Sequence, residues 1–83
     1  MDLGVFCPVV NNHNVVSKNL NHYEPTWDLQ RQFVQTAEDA GFKFALSQVT
    51  LVGWGGATEQ WDRSLESFTL MAALGAVTSK IRL

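Results

Sequence analysis

One cysteine, two prolines and no apolar run of membrane length set the first limits on this 83-residue sequence. Cys7 on its own excludes an internal disulfide and suits a reducing compartment, so the expected location is the cytoplasm. No apolar stretch approaches the roughly 18 residues of a membrane-spanning helix. Met1-Asp2-Leu3-Gly4 lacks the basic start and long apolar run of a secretory signal. Basic residues are scarce as well. Six Lys and Arg stand against eight Asp and Glu, a net charge of −2, so there is no cationic stripe and neither nucleic acid nor an anionic membrane is expected as a partner. What the chain has instead is aromatic surface: three Trp, five Phe and one Tyr. A chain of this size buries only about 60–65% of its unfolded surface, which makes so much apolar area hard to hide.

Leu3 to Val10 is a nearly continuous apolar run. Its length and β-branched content predict a strand buried on both faces, ending near Pro8, which has no N–H for a ladder. Asn11 to Tyr23 reads as a loop, with Asn11, Asn12, Asn14, Asn19 and Asn21 suited to turns. A helix then starts at Pro25-Thr26-Trp27-Asp28, with Thr26 as N-cap and Asp28 in the first turn. Leu29, Phe33, Ala37 and Ala40 form its apolar stripe, and Gly41 follows the C-cap. Phe44-Ala45-Leu46 is a second strand. From Ser47 to Trp61 the chain is a long loop, rich in glycine and aromatics and without structure of its own. A second helix is expected from a cap at Asp62 or Ser64, with Leu65, Phe68, Ala72, Gly75 and Ala76 inward and Leu70 and Met71 widening the stripe. Lys80-Ile81-Arg82-Leu83 alternates like the start of a third strand.

Strand, helix, strand, helix and partial strand make an α/β pattern with a parallel sheet. Two helices are too few to cover both faces of such a sheet. The expected architecture is therefore an incomplete one: residues 1–83 as the N-terminal β-α-β-α-β portion of a (β/α)8 TIM barrel, whose complete form has about 250 residues and carries its active site at the carboxyl ends of the strands. Both long loops leave the chain at such ends.

Chemical signals are few. No P-loop is present, and no Gly-x-Gly-x-x-Gly follows a strand; Gly53-x-Gly55-Gly56 is too short a substitute. His13 and His22 lack cysteine partners and read as loop histidines rather than metal ligands. Cys7 reads as a small buried hydrophobe rather than a nucleophile. Glu59, Asp62 and Glu66 lie near the start of the second helix, where capping accounts for them without acid–base work. Trp54 and Trp61 either flank a planar ligand or seal the mouth of the barrel.

A set of short motifs goes further. Leu3-Gly4-Val5-Phe6, Pro8-Val9-Val10-Asn11-Asn12, Tyr23-x-Pro25-Thr26, Phe44-Ala45-Leu46-Ser47, Gly53-x-Gly55-Gly56-x-Thr58-Glu59-x-Trp61-Asp62 and Leu65-Glu66-Ser67-Phe68-Thr69-Leu70-Met71-Ala72 together resemble the amino-terminal part of the luciferase-like flavin-dependent monooxygenases, and within them the pyrimidine (uracil) monooxygenase branch. The resemblance covers the whole chain. It implies a barrel that uses reduced FMN and molecular oxygen to insert one oxygen atom into a small organic substrate such as a pyrimidine, with the flavin reduced by a separate reductase. By the same resemblance, Val49 and Thr50 are the cofactor-binding residues, lying against the flavin. Thr50 stands where the family usually has lysine, and His13-Asn14 replaces a Gly-Trp pair. Gln48, Val52 and Trp54 also differ. No catalytic residue is assigned. An 83-residue chain of this kind is expected to be inactive alone. The other reading is a non-catalytic homologue acting as an interaction or homo-oligomerisation module through its open sheet edges.

Overall fold

The computed structural model describes residues 1–12, 18 and 23–83. The sequence pattern materialises as β1 (Gly4–Phe6), α1 (Trp27–Asp39), β2 (Phe44–Leu46) and α2 (Ser67–Val77). The two strands pair in parallel, with Gly4 opposite Phe44, Val5 opposite Ala45 and Phe6 opposite Leu46. Lys80 to Leu83 begins a third parallel strand on the far side of β2. The Ala45 N–H donates to the Arg82 carbonyl at 2.7 Å, and the Arg82 N–H donates to the Lys43 carbonyl at 3.0 Å. Phe44 and Arg82 form a parallel bridge. The strand order is thus that of the chain, as in a sheet whose successive βα units lie side by side.

Local chemistry explains α1. The Thr26 hydroxyl accepts the Leu29 N–H at 3.2 Å, and Asp28 occupies the first turn. Ala40 is the C-cap, and Gly41 adopts φ +91°, a left-handed conformation that costs glycine little. α1 turns Gln30, Val34 and Ala37 inward. The Gln30 side chain is wholly buried, and its Nε2 donates to the Pro8 carbonyl at 2.7 Å, where the regular strand has already stopped. At the other end, one oxygen of Glu38 accepts the N–H groups of Ser79 at 2.9 Å, Lys80 at 2.6 Å and Ile81 at 2.9 Å. Those three bonds, that of Ile81 foremost, hold the Glu38 carboxyl below its usual range, and they moor the third strand to α1.

The core gathers Cys7, Val9, Val10, Val34, Ala37, Ala45, Leu70, Leu74 and Ile81, with Val5, Phe33, Phe42, Leu65 and Met71 packed around it. Val5 and Ala45, partners in register, are the strand residues that meet it. The expectation of strands buried on both faces is corrected here: Phe6 and Leu46, neighbours in register on the other face, are each 50% exposed. A second correction concerns the stripe of α1. Leu29, Phe33 and Ala40 join Val5, Ala37 and Phe42 in lining an open apolar groove of about 470 Å³. The stripe is apolar as the sequence indicates, but part of it faces this groove rather than the core.

The start and inner face of α2 also differ from expectation. The helix begins at Ser67, and its N-cap is Glu66, whose carboxylate accepts the N–H groups of Phe68 at 3.1 Å and Thr69 at 2.7 Å. Asp62 instead accepts the Gly55 N–H, and Ser64 lies in an antiparallel bridge with Val10, an extended geometry that excludes a helix there. Ser67, Leu70 and Leu74 point inward, whereas Phe68 is 78% exposed and Ala72, Gly75 and Ala76 are exposed too. Among the described residues no helix is long and apolar enough to cross a membrane.

Candidate functional site

Two loops leave the carboxyl ends of β1 and β2, and the structure locks them together. Val9 and Val10 run antiparallel to Ser64 and Leu65, with the Leu65 N–H donating to the Val9 carbonyl at 2.9 Å. Asn11, fully buried, exchanges both backbone and side-chain bonds with the second loop. Its Nδ2 donates to the Glu59 carbonyl at 2.7 Å, its Oδ1 accepts the Arg63 N–H at 2.9 Å, and its own N–H donates to the Arg63 carbonyl at 3.0 Å. The Asn12 Nδ2 donates to the Thr58 carbonyl at 2.8 Å. Asn12 does adopt the turn geometry expected of it, at φ +62°, but both amides bond across to a loop some 50 positions away rather than to nearby backbone. His13, Asn14, Asn19, Asn21 and His22 lie outside the described residues.

The far half of the second loop is a small hairpin, not the unstructured stretch expected from sequence. Gly55 and Gln60 bridge in antiparallel fashion around a turn at residues 56–59, with Gly55 at φ +71° and Gly56 at φ +80°. Glu59 at φ +52° and Trp61 at φ +60° hold the same left-handed geometry without being glycine. With Asn12 they are the three such residues among those described, and all lie in the zone where the two loops meet. Strain of this kind collects at sites whose shape matters and is held by surrounding bonds. Arg63 adds an electrostatic tie. Its guanidinium forks onto Glu24 with two 2.6 Å bonds and reaches Glu59 at 3.0 Å. The hydrogen bond from Arg63 holds the Glu24 carboxyl below its usual range.

Trp54 and Trp61 pack edge to face, with ring centroids 5.7 Å apart and an interplanar angle of 80°. Rings so arranged leave no parallel slot between them, so they do not sandwich a planar ligand. Glu59 and Asp62 are engaged with Arg63 and Gly55, and Glu66 is occupied as a cap. Bonds from the Thr69 side chain, and then from the N–H groups of Thr69 and Phe68, keep the Glu66 carboxyl low. Burial pushes the Cys7 thiol up to about 11, away from the thiolate a nucleophile needs. Among the described residues no group of three or more His, Cys, Asp or Glu stands where it could hold a metal ion.

The near half of the loop carries Val49 and Thr50. They line a cavity of about 240 Å³ with Leu51, Ser64, Leu65, Glu66 and Ser67, between the end of β2 and the start of α2. Val49 is exposed and Thr50 half-buried, and the Gln48 Nε2 donates to the Thr50 hydroxyl at 3.1 Å. The neighbouring residues Leu51, Val52 and Trp54 are strongly exposed; Leu51 is 91% accessible. Sequence reasoning missed Asn11, Ser67 and Arg63. The Asn pair and the Ser and Arg near α2 were visible, but which distant backbone groups they meet is not written locally.

A family model described as luciferase-like monooxygenase matches residues 1–83. The pyrimidine monooxygenase RutA of Pseudomonas savastanoi pv. phaseolicola is 58% identical over the whole chain. RutA proteins of Stutzerimonas stutzeri and Acinetobacter baylyi are 57% and 54% identical over the same residues. The chain spans 22–23% of the length of these relatives.

Proposed function

The chain belongs to the luciferase-like monooxygenase family, and from that premise we propose that it forms the N-terminal β-α-β-α-β portion of a (β/α)8 barrel which uses reduced FMN and oxygen to oxidise a small organic substrate, a pyrimidine or related heterocycle. The observation that carries the proposal is the position of Val49 and Thr50 at the carboxyl end of β2, on the rim of the 240 Å³ cavity. That is where barrels of this class hold their ligands.

The residues present suit one part of FMN and not the other. Val49 offers an apolar surface and Thr50 a hydroxyl, a pairing that fits the edge of an isoalloxazine ring. Among the described residues the phosphate finds no cradle at the start of α2. The first-turn N–H groups of α2, which would otherwise attract an anion, are already taken by Glu66. The phosphate is therefore assigned to parts of the barrel other than the start of α2. Bound reduced flavin supplies the electrons that activate oxygen; this segment's own part is to present Val49 and Thr50 to the ring and to wall the site with the clamped loops. A separate flavin reductase and a cytoplasmic location complete the proposal.

The bare sheet face at Phe6 and Leu46 and the apolar groove beside β1 and α1 are the surfaces on which the remainder of a barrel would pack. The same surfaces favour a second reading, self-association of the chain as a non-catalytic module. Light scattering on the eluting chain separates them: a folded monomer removes the self-association reading. The flavin reading is tested by titrating the chain with oxidised and then reduced FMN and following flavin and Trp fluorescence. Saturable quenching is the expected result for a chain that assembles the ring-binding edge. Its absence places binding wholly outside the segment.

A further inference from the structure

The residues proposed to face the flavin follow a carbonyl held chiefly by one buried hydroxyl. Ser67 is the first residue of α2 and is buried. Its Oγ donates to the Gln48 carbonyl, and the Ser47 Oγ lies 2.6 Å away. Either hydroxyl can donate in that second bond, and the Ser47 Oγ also reaches the Gln48 carbonyl at 3.5 Å, a longer contact than the one from Ser67. Ser47 directly follows β2, so one relay joins the end of the strand, the start of the helix and the peptide that precedes Val49. Gln48 then passes the constraint on through its Nε2 bond to the Thr50 hydroxyl.

We propose that Ser67 is the positioning residue of the Val49–Thr50 segment: its buried hydroxyl ties the Gln48 carbonyl to the start of α2 and thereby sets where these two residues stand. The inference rests on the flavin reading for its functional meaning and on the hydroxyl relay for its geometry. The far end of the loop is held independently by Asn11 and Asn12. Ser67 therefore controls the near end, where Val49 and Thr50 are, without setting the Gly55–Gln60 hairpin.

The test uses the 83-residue chain in three forms, wild type, Ser67→Ala and Ser67→Thr, observed by backbone NMR relaxation and FMN titration. In Ser67→Ala the amides of α1, β1 and β2 keep their shifts. Order parameters at residues 48–50 fall from near the rigid value to below about 0.6. FMN affinity drops about tenfold, the scale of one lost buried hydrogen bond. Ser67→Thr, which keeps the hydroxyl, retains both. Unchanged order at residues 48–50 in Ser67→Ala overturns the proposal. Should Ser67→Ala lose the whole fold, Gln48→Leu supplies the second test. It leaves the Ser67 bond in place, and Val49 must then stay ordered while Thr50 loosens. A wild-type chain that binds no FMN places flavin binding outside this segment and removes the contact of Val49 and Thr50 with the ring, and the relaxation data still decide the role of Ser67.

Discussion

Replacing Asn11 with alanine removes the central fastener between the two loops, and its cost follows from the bonds lost. The side chain is fully buried and makes two bonds of 2.7 and 2.9 Å, one donated and one accepted. Each is worth about 0.5–1.5 kcal/mol net, and a buried group left unpaired costs about 1–3 kcal/mol. Alanine leaves the Glu59 carbonyl and the Arg63 N–H without these partners. Less side-chain entropy is lost on folding, about 1 kcal/mol in the variant's favour. The net expectation is a destabilisation of about 2–3 kcal/mol. For a domain of this size, with an m-value of about 1 kcal/mol/M in urea, that lowers the midpoint by about 2–3 M. Trp54 and Trp61 report on the transition because the pair sits in the clamped hairpin. Asn11→Asp sharpens the test. It keeps the oxygen that accepts from Arg63 but sets an acceptor against the Glu59 carbonyl, so its penalty grows as pH rises and the buried carboxyl ionises. An Asn11→Ala midpoint within about 0.5 M of wild type refutes the reasoning that these bonds hold the loops together.

Cys7 reacts slowly with a thiol reagent in the native chain. Raising its pKa from 9.0 to about 11 cuts the thiolate fraction near pH 8 about 100-fold, so comparison of native and urea-unfolded rates is expected to show at least that ratio. Gly53→Ala destabilises by about 1–3 kcal/mol, because a Cβ at Gly53 collides with the Trp61 carbonyl, which is backbone and cannot swing aside; thermal unfolding measures it. The lowered carboxyls of Glu38, Glu66 and Glu24 make acid destabilising. The unfolded chain binds protons first, near 4.5, so the stability they contribute is complete above that pH and is lost as pH falls through the lower folded values. Glu38→Gln flattens this part of the stability-versus-pH curve and exposes the amides of Ser79, Lys80 and Ile81 to faster exchange; an unchanged curve refutes the mooring role of Glu38.

Local chemistry carried the fold well where it was self-contained. The Thr26 cap, Asp28 in the first turn and Gly41 after the helix are all short-range signals, and α1 follows them closely. α2 was harder because it is apolar nearly all round: Phe68, Leu70, Met71, Leu74 and Val77 offer several equally good stripes. Only packing against α1 and the core selects Leu70 and Leu74 and leaves Phe68 outside. The helix start was misjudged for a related reason. Asp62 and Ser64 are good capping residues, but tertiary pairing with Gly55 and Val10 had already claimed them. In the site, the apolar run and glycines announced a special loop. The clamp by Asn11 and Asn12 was not legible, because it joins residues some 50 positions apart. The two-sided burial expected of the strands failed because Phe6 and Leu46 face the side that has no helix.

The central claim is that this segment is a working part of a flavin monooxygenase barrel, and the most direct measurement is an exchange. In the RutA of Pseudomonas savastanoi, which is 58% identical to this chain, the matching segment is replaced by residues 1–83, and flavin binding and pyrimidine oxidation are measured with reduced FMN and oxygen. The expected result is a folded chimera that binds FMN and consumes a pyrimidine, and that loses flavin affinity in the Ser67→Ala form. A folded chimera that binds no flavin contradicts it.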